Sequence, residues 1–364
     1  MSKTSGYFKD VSLEEIISLS RLEVIGPLSW QKLRRGFKSA TELLAAKTKD
    51  LIAAGLTQHQ AECFRDRDTD VSREMKLLKS RDIKLITVDD AHYPALLKEI
   101  PDLPLWLYYR GDLGAQSEAK TLTVVGTRKP STYAQEALKK LLLPELLTNI
   151  TTVSGLAYGV DKSVHELSLR YKGRTIAVLA GGLDGIYPTD HTNLAENIID
   201  SGGLLLSEYP PLSRPQPYKF PVRNRIGAAL SPATVIVEAK IRSGSLTTAK
   251  SALDYNRDIF AIPADITRTQ AEGTNMLIKH GAILLDDPSQ LLQYYGLENN
   301  STERVAVDSE QARLLNLLTD RALDLDAIVS ETGQNIEEVL GLITELELAG
   351  VIYQVHPGQY QQIK

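Results

Sequence analysis

The sequence predicts a mixed α/β protein: an extended Rossmann-like, doubly wound parallel sheet, with a small helical domain before it and a winged helix after it. Strand and helix signals alternate from residue 120 to 290, as in a parallel sheet. The segment 10–70 instead shows only short helical periods. The segment 309–364 gives three helices and then a β-hairpin, the order of a winged helix. The predicted segments are a helical domain (1–75), a Rossmann-like domain (76–296), a linker (297–308) and a winged helix (309–364).

The N-terminal segment has the pattern of a SAM-like or helix-hairpin-helix-like domain. Leu13, Ile16 and Ile17 have helical spacing, and Ser12 is a candidate N-cap. Later short helices are separated by breaks, and the turn at Gly55 closes the last one. A helix, a glycine-containing hairpin and another helix can place backbone amides against a DNA phosphate. The same sequence can also serve packing alone, so both interpretations stay open.

Residues 81–110 are predicted to connect the helical domain to the sheet. A short strand is expected at Ile83–Val88. The prolines that follow predict an irregular run, ending at Leu105–Tyr109 and packed along the edge of the next domain.

Seven strands are predicted for the sheet, with helices between them that include Tyr133–Leu147 and Arg223–Leu230. They are Thr121–Val125, Thr151–Val153, Thr175–Leu179, Leu204–Leu206, Thr234–Val237, Ile259–Ile262 and Ile283–Leu285. In a doubly wound sheet, ligands bind at the carboxyl ends of the strands. The turns that follow these strands are therefore the candidate binding elements.

Composition excludes several classes of function. No apolar run is long enough to span a membrane, and the N-terminus lacks the apolar core of a signal peptide, which predicts a soluble cytoplasmic protein. The single cysteine, Cys63, permits no internal disulfide, and the six histidines form no HxxxH pair, so no metal site is predicted.

The net charge of −5 is unusual for a nucleic-acid binder, but the charges are unevenly distributed. Residues 214–257 hold eight cations against Glu238 and Asp254. From residue 309 onward, three cations stand against nine acids. The chain is thus mildly acidic with a basic middle.

Three glycine-containing turns follow predicted strands, at residues 126–130, 154–159 and 181–184. Glycine lets the backbone approach a ligand closely, and amides at a helix N-terminus suit a phosphate. The first turn has one glycine rather than GxGxxG, and no GxxxxGK[ST] loop occurs in the chain. Neither a dinucleotide cofactor nor P-loop ATP hydrolysis is therefore predicted, and no cofactor is expected.

The basic stretch 218–249 joins a basic-aromatic cluster, a buried strand and a second basic, glycine-rich turn. Such a surface can hold a phosphate chain and stack bases. Arg223 and Arg225 lie two positions apart, so they cannot share one helix face. One is expected to face solvent or ligand, and the other to anchor the loop.

Few carboxylates accompany these cations. Glu208 and Glu238 are the obvious candidates, whereas Asp161 is expected to cap its helix and His165 to pack. Catalysis needs a nucleophile, base or metal ligand among the strand ends. The composition suits holding an anion better than cleaving one.

Several motifs together resemble the DNA-processing protein A family (DprA, also called Smf). They are Val125–Arg128, Ser154–Ala157, Tyr187–Pro188, Leu206–Pro211, Phe220–Arg225, Glu238–Leu246 and Glu272–Asn275, in that order along the chain. The flanking modules fit longer family members, so the resemblance covers nearly the whole chain. Tyr158 departs from the pattern, because a basic residue is common there in the family.

The resemblance implies a dimeric protein that binds single-stranded DNA without cutting it. Such proteins protect incoming strands during natural transformation and help load the RecA recombinase on them, overcoming single-strand-binding protein. Phe220 would stack on a base, which is worth roughly 1–3 kcal/mol. The DNA-binding residues implied are Gly126, Thr127, Arg128, Ser154, Gly155, Lys219, Phe220, Arg223, Arg225, Lys240, Ser243, Gly244 and Ser245.

Two other functions compete with this interpretation. Related nucleoside monophosphate phosphoribohydrolases carry PGGxGTxxE, whereas Ser243–Ala249 contains no acid. A transcription regulator would use the winged helix, but its candidate recognition helix holds four glutamates and no cation. We therefore expect that helix to contact protein. The dimer surface is expected at Thr274–Leu285, although these residues also suit a core.

Overall fold

In a computed structural model, the chain forms two compact units, Met1–Leu297 and Glu298–Lys364. The structure describes residues 6–114, 120–297, 309–318, 321–348, 352–356 and 358–362. The predicted linker, apart from residue 297, lies outside the described residues. Each unit is described by itself.

The first unit begins with six helices. They are α1 (Leu13–Ser20), α2 (Pro27–Gly36), α3 (Ala40–Ala45), α4 (Thr48–Ala53), α5 (Gln58–Arg65) and α6 (Ser72–Ser80). Ser12 caps α1 as predicted, in a capping box with Glu15. The helices share one buried core with the sheet, and the rings of Trp30 and Trp106 meet edge to face at 5.0 Å. The division at residue 75 stays a prediction, since both segments lie in this unit.

The sheet of the first unit has nine strands in the order β1-β2-β6-β5-β4-β3-β7-β8-β9. The strands are β1 (Lys84–Thr87), β2 (Trp106–Gly111), β3 (Thr121–Val125), β4 (Thr151–Ser154), β5 (Arg174–Val178), β6 (Leu204–Ser207), β7 (Ala233–Ile236), β8 (Asp258–Ala261) and β9 (Ile283–Leu284). The seven predicted strands, β3 to β9, run parallel. The predicted Rossmann-like sheet is thereby confirmed.

β2 corrects the expectation of an irregular run before the sheet. It pairs antiparallel with both β1 and β6 and so extends the parallel sheet by a hairpin. Leu107 and Tyr108 are fully buried there. Apolar residues on both faces of a strand suit a position inside a covered sheet, and this outweighs the prolines before it.

The helices of the sheet are α7 (Thr132–Leu141), α8 (Pro144–Asn149), α9 (Val160–Arg170), α10 (Thr192–Asp200), α11 (Lys219–Ala229), α12 (Ser245–Asp254), α13 (Glu272–Lys279) and α14 (Pro288–Tyr294). The one helix predicted at 133–147 is two, because the residue before Pro144 is extended. α11 begins at Lys219 rather than at the predicted Arg223, since Pro221 is tolerated in a first helical turn.

The second unit is a winged helix, as predicted. Its elements are α15 (Ser309–Leu318), β10 (Leu323–Asp324), α16 (Leu325–Thr332), α17 (Ile336–Leu348), β11 (Ile352–His356) and β12 (Gln359–Gln362). The strands pair in the order β10-β12-β11. Asp324 caps α16, and Gly333 ends it in the left-handed conformation that glycine favours. A small apolar core includes Leu314, Ile328 and Val339.

The strand order places a switch point in the first unit. β3 lies between β4 and β7. The strands β4 to β6 therefore extend the sheet on one side of β3, and β7 to β9 extend it on the other side. A crevice forms at the carboxyl ends of strands at such a point.

Among the described residues, no helix is both long and apolar enough to cross a membrane.

Candidate nucleic-acid interface

A cleft of about 600 Å³ opens at the carboxyl ends of β3 and β7. We call it the switch-point cleft. It is lined by the turn after β3, the first turns of α11 and α12, and the loop before α11. The predicted residues that line it are Gly126, Thr127, Arg128, Phe220, Arg223, Ser243, Gly244 and Ser245. Segments that are far apart in the sequence thus meet in one site.

The turn after β3 forms part of the floor and packs tightly against the start of α9. A Cβ on Gly126 would lie 2.7 Å from Cγ2 of Val160, and one on Gly159 would lie 2.4 Å from the carbonyl oxygen of Thr127. Gly159 also has a φ of +80°, which side chains rarely adopt. Both glycines are therefore required sterically, and the turn is held rigidly against the helix.

An aromatic wall faces this floor. The half-buried ring of Phe220 lies under the Arg128 guanidinium, with 5.2 Å between Cζ and the ring centroid. The Tyr187 ring meets Phe220 edge to face at 6.0 Å and is half exposed. A flat guanidinium and two rings offer stacking surfaces for bases, and the exposed cation offers a phosphate contact. Tyr187 belongs to the family motif but is not among the DNA-binding residues that the resemblance implies.

Arg223 ties the cleft to the turn after β4. It is 5% exposed, and its Nη1 donates to the carbonyl oxygens of Gly155, at 2.7 Å, and Val178. A Cβ on Gly155 would overlap this guanidinium. Burial lowers the pKa of Arg223, and the Asp161 carboxylate opposes that shift. The guanidinium thus remains a buried cation that lines the cleft.

Asp161 also holds the turn after β4. Its Oδ2 accepts from the backbone amides of Gly155 and Ala157, at 3.1 and 3.4 Å. Burial raises the pKa of Asp161, while Arg223 and these amides act in the opposite direction. Ser154 donates its hydroxyl to the Val124 carbonyl, at 2.8 Å. Ser154 and Gly155 therefore lie beneath the cleft rather than along its open surface.

Of the three predicted cations that do not line the cleft, two are buried in ion pairs. Lys219 is 2% exposed, and its Nζ lies 2.6 Å from Oε1 of Glu23. Arg225 is 4% exposed and donates to both carboxylate oxygens of Glu208, at 2.7 and 2.6 Å. Arg225 therefore anchors the chain while Arg223 faces the site, in line with their spacing. The DNA contacts expected of Lys219 and Arg225 stay predictions, and burial of both charges argues against them.

The loop after β7 completes the cleft. Ser243 and Ser245 share a hydroxyl hydrogen bond of 2.7 Å, while Lys240 lies exposed on the loop outside the lining. Asn224 Nδ2 donates to the carbonyl of Gly244, at 3.2 Å, and to the Thr247 hydroxyl, at 2.9 Å. Asn224 thus joins α11 to α12, a role that only the folded chain reveals.

The acid and base groups near the cleft all have structural partners. Glu238 accepts from the backbone amide and hydroxyl of Ser131, at 3.0 and 2.7 Å, at the start of α7. Burial raises the pKa of Glu208, and the paired Arg225 acts against this. His165 is fully buried, which lowers its pKa to about 3, and its Nδ1 lies 2.7 Å from the Thr175 hydroxyl. It packs, as expected.

Comparisons with known proteins identify the family of the chain. Residues 84–296 match the family described as DNA recombination-mediator protein A, and residues 300–359 match the DprA winged helix domain. Protein Smf of Escherichia coli (strain K12) is 37% identical over 327 residues, which cover 86% of this chain and 87% of Smf. DNA processing protein DprA of Bacillus subtilis (strain 168) is 35% identical over 255 residues, covering 70% of this chain and 84% of that protein.

Two solved structures are also similar. The X-ray structure of DNA processing protein A from Streptococcus pneumoniae has a TM-score of 0.67 and 31% identity, covering 78% of this chain and 98% of that one. The structure of DNA processing protein A from Helicobacter pylori, described for its single-stranded DNA binding mode, has a TM-score of 0.52 and 29% identity. It covers 58% of this chain and 95% of that one.

The family match spans more than half of the chain, and relatives above 30% identity are covered over most of their length. The chain therefore belongs to the DNA recombination-mediator protein A family, the DprA family.

Proposed function

We propose that this protein binds single-stranded DNA in the switch-point cleft and holds it without cutting it. The observation that carries this proposal is the group of Arg128, Phe220 and Tyr187 beside the glycine turn at Gly126. Bases stack on rings irrespective of sequence, and cations and backbone amides hold phosphates. The similarity to the Helicobacter pylori protein, whose structure is described for its single-stranded DNA binding mode, supports the same ligand.

The test is a salt titration of binding to single- and double-stranded oligonucleotides of equal length, followed by fluorescence anisotropy. We expect preference for the single strand and a log–log salt slope of about −0.7 per phosphate contacted. Equal affinity for both ligands, or a slope near zero, would contradict the proposal.

Incubation with nucleoside monophosphates tests the hydrolase alternative, since release of free base would show catalysis in the same cleft.

We also propose a cellular role, in which this protein protects incoming single strands in the cytoplasm and helps to load RecA on them during transformation; membership of the DNA recombination-mediator protein A family supports a role in recombination. Strand exchange on DNA pre-coated with single-strand-binding protein measures this. We expect the protein to shorten the lag before RecA filaments form, and an unchanged lag would contradict the mediator role.

We also propose a homodimer formed through Thr274–Leu285. β9 lies at the edge of the sheet, and its Ile283 and Leu284 are 41% and 39% exposed. An apolar edge strand can pair with a second copy. Light scattering should give twice the chain mass for the parent and the chain mass for Leu284→Lys. A monomeric parent would exclude this interface.

A further inference from the structure

The loop between β6 and α11, residues 208–218, forms one wall of the switch-point cleft. Pro215 and Pro217 line the cleft, and Phe220 follows directly in the first turn of α11. The loop has no helix or strand of its own. Prolines restrict its backbone but donate no hydrogen bonds. The Gly182 amide donates to the Ser213 carbonyl at 2.8 Å, and side-chain contacts add to this bond in determining where the wall lies.

Glu23, in the turn after α1, holds this loop from outside the sheet. Its carboxylate accepts hydrogen bonds from the Ser213 hydroxyl at 2.7 Å, the Tyr218 hydroxyl at 2.7 Å and Lys219 Nζ at 2.6 Å. Ser213 lies in the middle of the loop, whereas Tyr218 and Lys219 lie where the loop meets α11. One carboxylate thus joins the N-terminal helical segment to a cleft wall that lies far from it in the sequence.

Lys219 makes this contact obligatory. It is 2% exposed, and its ammonium group donates to Glu23, to the Ser213 hydroxyl at 2.6 Å and to the Arg214 carbonyl at 2.9 Å. All three donors are therefore used. The Tyr209 ring lies 4.7 Å from Nζ. A buried charge without its counter-ion is strongly destabilising, so the first turn of α11 is held where Glu23 is.

The chain just before Glu23 is fixed to the rest of the unit. The Ser20 hydroxyl at the end of α1 lies 2.7 Å from the Tyr108 hydroxyl of β2, and both are buried. Arg21 pairs with Glu74 at 3.4 Å. Burial alone would raise the pKa of Glu23, but the hydrogen bonds from Lys219, Ser213 and Tyr218 outweigh it and lower that pKa. The carboxylate is thus an anchored, ionised acceptor.

We propose that Glu23 is a positioning residue for the switch-point cleft: it holds the 213–219 segment and so sets the place of the Phe220 ring. The helical N-terminal segment thereby controls affinity for single-stranded DNA without contacting the DNA. For its DNA readout, this inference rests on the proposed function.

The first experiment needs no DNA. Hydrogen exchange is compared between the parent chain, Glu23→Gln and Glu196→Gln, with the backbone amides of Leu212, Ser213 and Lys219 as reporters. Glu196 is a matched control, because its carboxylate pairs with Arg110 at 2.9 Å elsewhere on the same unit. We expect the reporters to exchange at least about tenfold faster in Glu23→Gln alone. This corresponds to a decrease of ~1.4 kcal/mol in the free energy of local opening. Unchanged exchange would overturn the proposal whether or not the protein binds DNA.

The second experiment is a double-mutant cycle on binding of an oligothymidylate strand. Glu23→Gln is expected to raise the Kd about tenfold in the parent. In a Phe220→Ala background it should have much less effect, because the ring that Glu23 positions is no longer present. Equal losses in both backgrounds, or no loss in the parent, would contradict positioning through Phe220.

The outcomes separate the two claims. If the parent does not bind the strand, the proposed function fails, while the exchange result still decides whether Glu23 holds the loop. If the parent binds and Glu23→Gln binds equally well, only the positioning role fails. Restoration of parent affinity and slow exchange by Glu23→Asp would show that the negative charge is what holds the loop.

Discussion

The switch-point cleft and helix α17 of the winged helix both occupy places that suit nucleic acid in their folds, yet their surfaces are opposite. Around the cleft, exposed cations include Arg128, Lys129, Lys240 and Arg242. The described part of α17 carries Glu337, Glu338, Glu345 and Glu347, with Ile336 and Leu340 exposed between them at 48% and 41%. Phosphates attract the first surface and are repelled by the second.

This difference shows that fold alone does not assign the DNA-binding surface. A winged helix commonly places a helix in a groove, but an acidic helix with exposed apolar residues is suited to protein instead. In the cleft, by contrast, cations, rings and glycine turns converge. We propose that α17 contacts protein while the cleft contacts DNA.

The largest expected effect separates buried from exposed ion pairs in the two units. Arg225→Ala leaves Glu208 and Asp102 without their buried partner and should lower the free energy of unfolding by about 3–5 kcal/mol. The matched variant in the winged helix is Arg321→Ala, which removes a pair whose arginine is 60% exposed and should cost less than about 1 kcal/mol. Urea denaturation measures both. Similar losses would show that Arg225 is not an anchor.

The next effect tests stacking in the cleft. Phe220→Ala should weaken single-strand binding by about 1–3 kcal/mol, which raises the Kd roughly fivefold to 150-fold. Phe220→Tyr keeps a ring and should bind nearly as the parent does. Anisotropy titration at one salt concentration measures both, with thermal unfolding as a check of folding. Equal binding by Phe220→Ala and the parent would remove stacking on this ring from the proposal.

A smaller effect distinguishes a cation that meets phosphate from one that holds structure. Arg128→Ala should reduce the salt slope of binding by about 0.7, because one phosphate contact is lost. Lys219→Met should leave the slope unchanged while lowering stability, because Lys219 is buried against Glu23. A reduced slope for Lys219→Met with a full slope for Arg128→Ala would reverse the two roles.

The smallest effect concerns the winged helix. The full chain with its cleft disabled by Arg128→Ala and Phe220→Ala should not bind duplex DNA measurably at physiological salt. Adding Glu337→Lys and Glu347→Lys should create weak, salt-sensitive duplex binding, since the repulsion becomes attraction. Duplex binding before the lysines are added would show that α17, despite its glutamates, or another surface binds DNA.

Local sequence signals were sufficient for much of the fold. The parallel strands β3–β9 and the winged helix follow from periodicities within short stretches of sequence, and structure and prediction agree closely on most of their ends. The misses at Pro144 and at the start of α11 have local causes, since both depend on a proline, whereas the miss at β2 depends on distant contacts. β2 forms a strand because β1 and β6 accept it on both sides, although prolines precede it.

The candidate site divides in the same way. Glycine turns, the basic stretch and the spacing of Arg223 and Arg225 were visible in the sequence, and the resemblance to the family rested on them. Lys219 and Phe220 are neighbours in the chain, yet one is buried in an ion pair and the other lines the cleft. Asn224 and Tyr187 were present in the quoted motifs without any signal of their role.

The sequence by itself thus determined the order of elements, the turns at the strand ends and the family, because each depends on residues close together in the chain. The tertiary structure alone decided which cations remain available to a ligand. That choice depends on carboxylates far away in sequence, such as Glu23 for Lys219 and Asp102 for Arg225, which only folding brings within reach. A charge that finds such a partner becomes part of the scaffold, and one that does not remains available to a ligand.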